Sequence, residues 1–181
     1  MEKTLWQIYD DAQLAELDTL TADYKKFLDA GKTERECVTE VIRIAEKEGY
    51  VDLNKKDTLQ AGDKVYMDWM GKSIVLFQIG EDSLEKGMNI LGAHVDSPRL
   101  DLKQNPLYEE SGFAYFDTHY YGGIKKYQWV TLPLAIHGVV VKKDGTKVNV
   151  VIGEKKKIRY LQLQIFCHIS DLSRWRKQQP Q

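Results

Sequence analysis

The residues best suited to chemistry lie in the run Gly92-Ala93-His94-Val95-Asp96-Ser97-Pro98, where a histidine and an aspartate stand two positions apart. Side chains at i and i+2 of an extended segment point the same way, so Asp96 can accept a hydrogen bond from one ring nitrogen of His94. Such a bond fixes the tautomer of a metal-binding histidine and leaves its other nitrogen for the metal. The spacing is a weak signal by itself, because a lone histidine after a strand is more often a hydrogen-bonded structural residue than a ligand.

The apolar run Met88–Ala93 directly precedes this pair and predicts a buried strand. His94 would then follow the carboxyl end of the strand, where open α/β sheets place their chemistry. Two earlier runs, Val65–Met67 and Ser73–Ile79, predict further strands. Because Ser73–Ile79 and Met88–Ala93 are continuously apolar, we expect a sheet that is covered on both faces.

Helices predicted ahead of these strands supply that cover. Apolar residues recur at helical spacing over Asp10–Ala30, and Gly31 is suited to end this first helix. Thr33 and Glu36 form a capping-box pattern at the start of a second helix, which Gly49 closes. We therefore expect two antiparallel helices that pack against the sheet.

The chain after the histidine and aspartate predicts an irregular connection. Pro98, Pro106 and a polar segment at 109–112 interrupt the pattern, and an aromatic stretch, Phe113–Tyr121, then leads to Gly122-Gly123. These features do not continue the strand and helix periodicity that precedes them.

A second, all-β unit is expected after this connection. Two β-rich runs, Val130–Val141 and Lys147–Ile152, are joined by an Asp144-Gly145 step that predicts a hairpin. We interpret His119 and His137, which lie in the connection and in the first of these runs, as structural residues rather than metal ligands.

Composition and charge exclude several classes of protein. The 181 residues include 43% hydrophobic and 29% charged side chains, and the formal net charge is −1, as expected of one globular domain of ordinary size. No apolar run reaches the roughly 20 residues of a membrane-spanning helix, and the amino terminus lacks a signal-peptide pattern. Cys37 and Cys167 lie far apart, as expected of free thiols in a reducing compartment. We therefore expect a cytoplasmic protein that binds neither nucleic acid nor membranes.

Two longer stretches, LGAHVDSPRLDLK and DTHYYGGIKKYQWVTLPLAIHGVVVKKDG, resemble the M18 family of zinc aminopeptidases, the aspartyl aminopeptidase family, in its bacterial branch. The resemblance runs from the two predicted helices to about Gly153. It implies an α/β fold, in which residues 1–100 form the amino-terminal part of a zinc-peptidase catalytic domain. Residues 101–153 would begin an inserted, β-rich lid and dimerisation domain. The implied activity is release of amino-terminal residues from peptides, with acidic residues favoured in the best-known branch, by a chain that forms homo-oligomers when full length.

Carried over residue by residue, the resemblance makes His94 a ligand of one of two zinc ions and Asp96 the residue that orients it. Tyr121, Gly122 and Gly123 match a family turn near the active-site cleft, where small residues let the backbone approach substrate. An ordinary tight turn is an equally good interpretation of these three residues. The family's other ligands, a bridging Asp, a Glu-Glu pair, a further Asp and a final His, come after the lid and are not expected in this chain. We therefore expect a fragment that is inactive by itself.

The tail, residues 154–181, has a composition of its own. It holds seven Lys and Arg against two Asp and Glu, a net charge of +5, whereas residues 1–153 hold 19 against 25, a net charge of −6. At the codon level, KKIRYLQLQIFCH is compatible with a shifted frame that spells KDPVFTITDFLPH, which is typical of the family. We interpret the tail from about Lys156 as a frameshift product, so His168 does not inherit the role of the family's lid histidine. The alternative for the tail is a basic extension that contacts nucleic acid or a membrane. The alternative function for the chain as a whole is a non-catalytic remnant or a partner-binding module that lacks most of the metal ligands.

Overall fold

The computed structural model describes residues 4–130, 132–154 and 161–162. The chain forms two units, Met1–Ser97 and Pro98–Gln181. The helices and strands of the described residues are α1 (Asp11–Ala30), α2 (Glu34–Lys47), β1 (Val51–Asp52), β2 (Lys64–Trp69), β3 (Ser73–Gln78), β4 (Arg99–Glu110), β5 (Phe113–Tyr121), α3 (Lys126–Trp129), β6 (Pro133–Leu134), β7 (Ile136–Val141), β8 (Lys147–Ile152) and β9 (Leu161–Gln162). Of the helices in this described part, none is both long enough and apolar enough to cross a membrane.

Helix α1 forms where the sequence predicts a first helix. The Asp10 side chain accepts a hydrogen bond from the backbone N–H of Gln13 at 2.8 Å, and the Gln13 side chain accepts one from the Asp10 backbone at 3.1 Å. This capping box satisfies donors that the first helical turn leaves without a partner. At the other end, the Gly31 N–H donates to the Phe27 carbonyl at 2.9 Å. The apolar stripe of α1 is largely exposed, since Leu20 is 66% accessible.

Helix α2 contributes most of the small core of the first unit. Thr33 caps it by accepting a hydrogen bond from the Glu36 backbone N–H at 3.3 Å, as the sequence pattern predicts. The buried apolar side chains of the described residues are Cys37, Val38 and Ala45 of α2 and Val65 and Tyr66 of β2. Burial raises the pKa of the Cys37 thiol, so this side chain acts as a packing residue rather than as a reactive thiolate.

The first sheet has the strand order β1-β2-β3, with β1 parallel to β2 and β2 antiparallel to β3. Met70 and Gly71 turn the chain between β2 and β3 at φ values of 59° and 65°. The Tyr66 hydroxyl donates to the Glu46 carboxylate of α2 at 2.9 Å, which ties the helix to the sheet. Burial, assisted by this bond, raises the pKa of Tyr66 to about 12.

The predicted buried strand over Met88–Ala93 is wrong. Residues 87–98 form neither helix nor strand, and Ile90 and Leu91 are 80% and 99% accessible. The expected sheet covered on both faces is also wrong, because Val75 and Phe77 of β3 are 48% and 43% accessible. An apolar run becomes a buried strand only when other strands and helices cover it, and none of the described elements covers these residues.

The region predicted as an irregular connection is instead a hairpin of β4 and β5. Ser111 and Gly112 make its turn at φ values of 53° and 77°, the left-handed pair that is typical of two-residue hairpin loops. The register shifts between Leu102 and Leu107. Pro106 lies within that irregular stretch, where its missing N–H does not interrupt a regular ladder.

The second predicted hairpin is confirmed, with β7 and β8 paired antiparallel. The Asp144 side chain accepts a hydrogen bond from the Thr146 backbone N–H at 2.9 Å, and Gly145 has a φ of 83°. The paired part begins at Ile136 rather than at Val130, because the first part of the predicted run contains the separate short strand β6, which pairs with β9.

Most of the tail lies outside the described residues. Within it the structure describes Glu154 and strand β9, which pairs antiparallel with β6. Lys156, Cys167 and His168, and with them the frameshift interpretation, fall in the part that is not described.

Candidate functional site

His94 and Asp96 lie together in the segment that follows β3 and leads into β4. The prediction that His94 ends a buried strand is wrong, since this segment pairs with none of the described strands. The two side chains nevertheless meet, as the spacing of two predicts.

Asp96 engages one ring nitrogen of His94 through two oxygens. The Nδ1 atom of His94 lies 2.9 Å from the backbone carbonyl oxygen of Asp96 and 3.1 Å from its Oδ1 atom. A carbonyl oxygen can only accept a hydrogen bond, so Nδ1 is the nitrogen that donates its hydrogen. In the neutral ring, Nε2 then carries the lone pair, which is the form in which histidine binds a metal ion.

The His94 ring is open to solvent, with its side chain 83% accessible and that of Asp96 37%. A metal ion can therefore approach Nε2 without a rearrangement of the chain. Zinc sites in proteins use about four ligands, however. Across residues 4–130, 132–154 and 161–162, no group of three His, Cys, Asp or Glu side chains could hold a metal. The pair fits one ligand position and does not complete a site.

The other predicted site residues, Tyr121, Gly122 and Gly123, belong to the second unit. Gly122 has a φ of 72°, and a Cβ there would meet Pro98 at 3.5 Å, an ordinary contact distance. A Cβ at Gly123 would meet nothing within 4 Å. Backbone conformation thus explains a glycine at 122 and does not explain one at 123.

Arg99 is a residue of this region that the sequence analysis missed. Its guanidinium lies 4.2 Å from the centre of the Tyr121 ring, and its Nε atom donates to Asp101 at 2.7 Å. A cation held over an aromatic face and bonded to a carboxylate is fixed in orientation. The sequence did place Arg99 and Asp101 two positions apart. This spacing predicts a contact only if the two residues are assigned to a strand, where side chains at i and i+2 lie on the same face.

A second missed residue is Glu154, which pairs with His137. The His137 Nε2 atom lies 2.9 Å from Glu154 Oε1, and the His137 side chain is only 12% accessible. This contact joins β7 to the residue that follows Gly153. His119 stands opposite Asp101 in the β4–β5 register.

The chain matches a family model described as aminopeptidase I zinc metalloprotease (M18) over residues 27–166. The match begins within α1 and runs beyond Gly153, where the sequence analysis expects the resemblance to end. A probable M18 family aminopeptidase 1 from Clostridium acetobutylicum is 60% identical over 156 residues, which cover 84% of this chain and 34% of that protein. The chain therefore spans about a third of the length of the curated relatives it matches.

Solved structures show the same fold. Aminopeptidase I from Borrelia burgdorferi matches with a TM-score of 0.84 and 38% identity, over 88% of this chain and 40% of the other. The more distant S. cerevisiae mApe1 dodecamer matches with a TM-score of 0.64 and 21% identity, over 78% and 34%. The predicted α/β fold, shared with part of a zinc-peptidase chain, is confirmed.

Proposed function

Because this chain belongs to the M18 family of zinc metalloproteases, we propose that it is part of a metal-dependent aminopeptidase in which His94 binds one of two zinc ions. The carrying observation is the hydrogen-bonded pair of His94 and Asp96 in a chain 60% identical to a probable M18 aminopeptidase. Asp96 holds the ring with its hydrogen on Nδ1, which leaves Nε2 for the metal.

The described residues supply one part of such a site. Zinc, when bound, provides Lewis acidity and a water molecule of lowered pKa. His94 and Asp96 provide an imidazole whose Nδ1 atom is held by Asp96 and whose Nε2 atom is left for the metal. The other ligands must come from polypeptide beyond the described residues, since these hold no group of three ligating side chains. For that reason we propose that the chain alone is inactive.

The finer parts of the proposal have support of different kinds. Peptide substrates, a preference for acidic amino-terminal residues and a substrate contact at Tyr121, Gly122 and Gly123 are supported by the family resemblance. So is the division into a catalytic part, residues 1–100, and a lid and dimerisation part, residues 101–153. A homo-oligomer is supported by the dodecamer of the distant relative mApe1. A cytoplasmic location is supported by the two widely spaced cysteines.

A chimera tests the activity. Residues 1–153 of this chain would replace the corresponding part of the C. acetobutylicum relative, and release of amino-terminal residues would be measured on a series of aminoacyl p-nitroanilides. We expect activity that a chelator removes and zinc restores, with Asp and Glu substrates compared directly against Leu and Ala.

Two histidine variants make the test specific. His94→Ala should lower kcat/KM by more than the roughly 10- to 100-fold typical of losing a residue that only orients a ligand. His119→Ala, in β5, should stay within about twofold of the parent chimera if our interpretation of His119 as a structural residue is correct. A folded, zinc-loaded chimera without peptidase activity, or equal effects of both variants, would contradict the proposal.

A non-catalytic, partner-binding role is the second candidate, because the described residues hold no group of three metal-ligating side chains. Resequencing the DNA across codons 150–160 and past the stop separates the two. A one- or two-base change that opens a frame with the missing Asp, Glu-Glu, Asp and His supports the peptidase and the frameshift interpretation of residues 154–181. A confirmed sequence with no such frame favours the non-catalytic role.

A further inference from the structure

Arg99 has a defined place on one face of the β4–β5 hairpin. It lies directly opposite Tyr121 in the antiparallel register, and residues paired in this way present their side chains on the same face of the two strands. Asp101, two positions further along β4, belongs to that face as well. The base of the hairpin therefore brings together a guanidinium, a carboxylate and a phenol ring.

Two contacts fix the guanidinium of Arg99 against the Tyr121 ring. Its central carbon lies 4.2 Å from the centre of the ring, and its Nε atom donates to Oδ1 of Asp101 at 2.7 Å. The Nη1 atom of Arg99 is shielded from water. Because a cation attracts the face of an aromatic ring more strongly where water is excluded, and because a guanidinium is planar, this contact holds the ring in one orientation.

The residue after Tyr121 lies against the residue before Arg99. A Cβ at Gly122 would be 3.5 Å from the Cα, Cβ and Cγ atoms of Pro98, so the backbone of Gly122 passes close to the proline ring. Two consecutive residues of the β4 strand and its approach, Pro98 and Arg99, thus contact two consecutive residues at the end of β5. Pro98 comes two positions after Asp96 in the chain.

The charge of Arg99 indicates how it acts. Asp101 forms an ion pair with it at 2.7 Å, and the two side chains are only 27% and 31% accessible. A substrate carboxylate would have to compete with this short, charge-assisted hydrogen bond. Arg99 is therefore suited to orienting the Tyr121 ring and poorly suited to binding an acidic side chain itself.

We propose that Arg99 is a positioning residue of the aminopeptidase, which holds the Tyr121 ring and the backbone of Gly122 in place and so sets the affinity for substrate without touching the substrate or the metal. The inference rests on the proposed function, because that function assigns the substrate contact to Tyr121, Gly122 and Gly123. It adds that the cation–π contact with Arg99 orients this turn, and that its effect is the same for acidic and neutral substrates.

The contact itself is tested by NMR of the full 181-residue chain. A proton held near the face of an aromatic ring resonates upfield, so Tyr121→Leu should move the Arg99 Nε–H resonance downfield. Tyr115→Leu is the matched control, because Tyr115 belongs to the same strand and its ring stacks on Tyr108 instead. An unmoved Arg99 resonance in Tyr121→Leu, or equal shifts in both variants, would overturn the proposal.

The effect on substrate is tested in the chimera that contains residues 1–153. Arg99→Met should raise KM about 3- to 10-fold, within the range expected for loss of a partly desolvated cation–π contact. The rise should be equal for Asp and Leu p-nitroanilides, with a smaller change in kcat and unchanged zinc content. Lys103→Met breaks the exposed pair of Lys103 and Asp117 on the same hairpin and should change KM by less than about twofold.

Two results would overturn the positioning role. Equal KM changes for Arg99→Met and Lys103→Met would mean that any weakening of the hairpin has this effect. A rise in KM confined to the Asp substrate would mean that Arg99 binds the substrate carboxylate directly.

A double variant shows whether Arg99 acts through Tyr121. Once Tyr121→Leu has removed the ring, adding Arg99→Met should raise KM by less than about twofold more, because the two residues share one contact. Single effects that multiply in full would overturn the proposal. A folded parent chimera without peptidase activity counts against the proposed function itself, whereas an active parent whose KM is unchanged by Arg99→Met counts against the role of Arg99 alone.

Discussion

Replacing Val65 by alanine should destabilise the first unit far more than the same replacement at Val75. Val65 is fully buried in β2, with 0% of its surface accessible, whereas Val75 in β3 is 48% accessible. Loss of two buried carbons costs about 1.6 kcal/mol in transfer free energy. The cavity left behind adds about 1 kcal/mol where neighbours do not collapse into it. We therefore expect Val65→Ala to lower the free energy of unfolding by about 2 to 3 kcal/mol and Val75→Ala by less than about 1 kcal/mol.

Urea unfolding followed by circular dichroism is the assay, because both long helices, α1 and α2, lie in this unit. With an m-value near 1 kcal/mol/M, the midpoint should fall by about 2 to 3 M for Val65→Ala at unchanged m. If Val65→Ala is already unfolded in the absence of urea, the substitution is destabilising, as predicted. Equal midpoint shifts for the two substitutions would refute the inference that the unit has its core between α2 and β2.

Three further predictions concern single residues. Gly31→Ala should lower the melting temperature, because the new Cβ would lie 2.7 Å from the Cys37 sulfur and overpacking costs about 1 to 3 kcal/mol. Gly123→Ala should leave the melting temperature unchanged, because a Cβ there meets nothing within 4 Å. Similar decreases in melting temperature for the two variants would contradict the close packing of Gly31 against Cys37. The hydrogen bond from Lys56 lowers the pKa of Asp63, so this carboxylate stabilises the fold above its unfolded pKa and loses that effect as pH falls through its folded pKa. The stability difference between wild type and Asp63→Asn should therefore be full near pH 7, begin to decrease below about pH 4, near the unfolded pKa, and vanish only below the lowered folded pKa; a difference independent of pH would contradict this. Asp96→Ala removes the Oδ1 contact and keeps the backbone carbonyl at 2.9 Å from Nδ1, so we expect a partial shift of the neutral His94 ring toward the Nε2–H form in ¹⁵N NMR; an unchanged spectrum would show that the carboxylate does not contribute to setting the tautomer.

The elements that the sequence predicts correctly are those fixed by local interactions. Helix α1 depends on the Asp10 capping box, and the β7–β8 hairpin depends on the turn at Gly145. The β4–β5 hairpin was missed because Pro106 looks like an interruption in the sequence, while the structure places it in a register shift. Met88–Ala93 was misassigned because burial of an apolar run depends on distant parts of a chain, which periodicity does not report.

In the candidate site, too, the sequence predicts local contacts and misses contacts between residues that are distant in the chain. The contact of His94 with Asp96 follows from a spacing of two and is present, whereas its role as a zinc ligand stays a prediction. The contacts of Arg99 with Tyr121 and of Glu154 with His137 could not be found from local spacing, because the pairing of β4 with β5 and of β7 with β8 brings these distant residues together. Metal ligands that come from separate parts of a fold are likewise beyond the reach of a local pattern.

The most direct test of the central claim is the zinc content of the chimera. The parent chimera should hold about two zinc ions per chain, as a two-metal peptidase site requires. We predict that His94→Ala reduces this to about one ion or fewer and that His119→Ala leaves it at about two. An undiminished zinc content in the folded His94→Ala chimera would contradict the claim that His94 is a metal ligand.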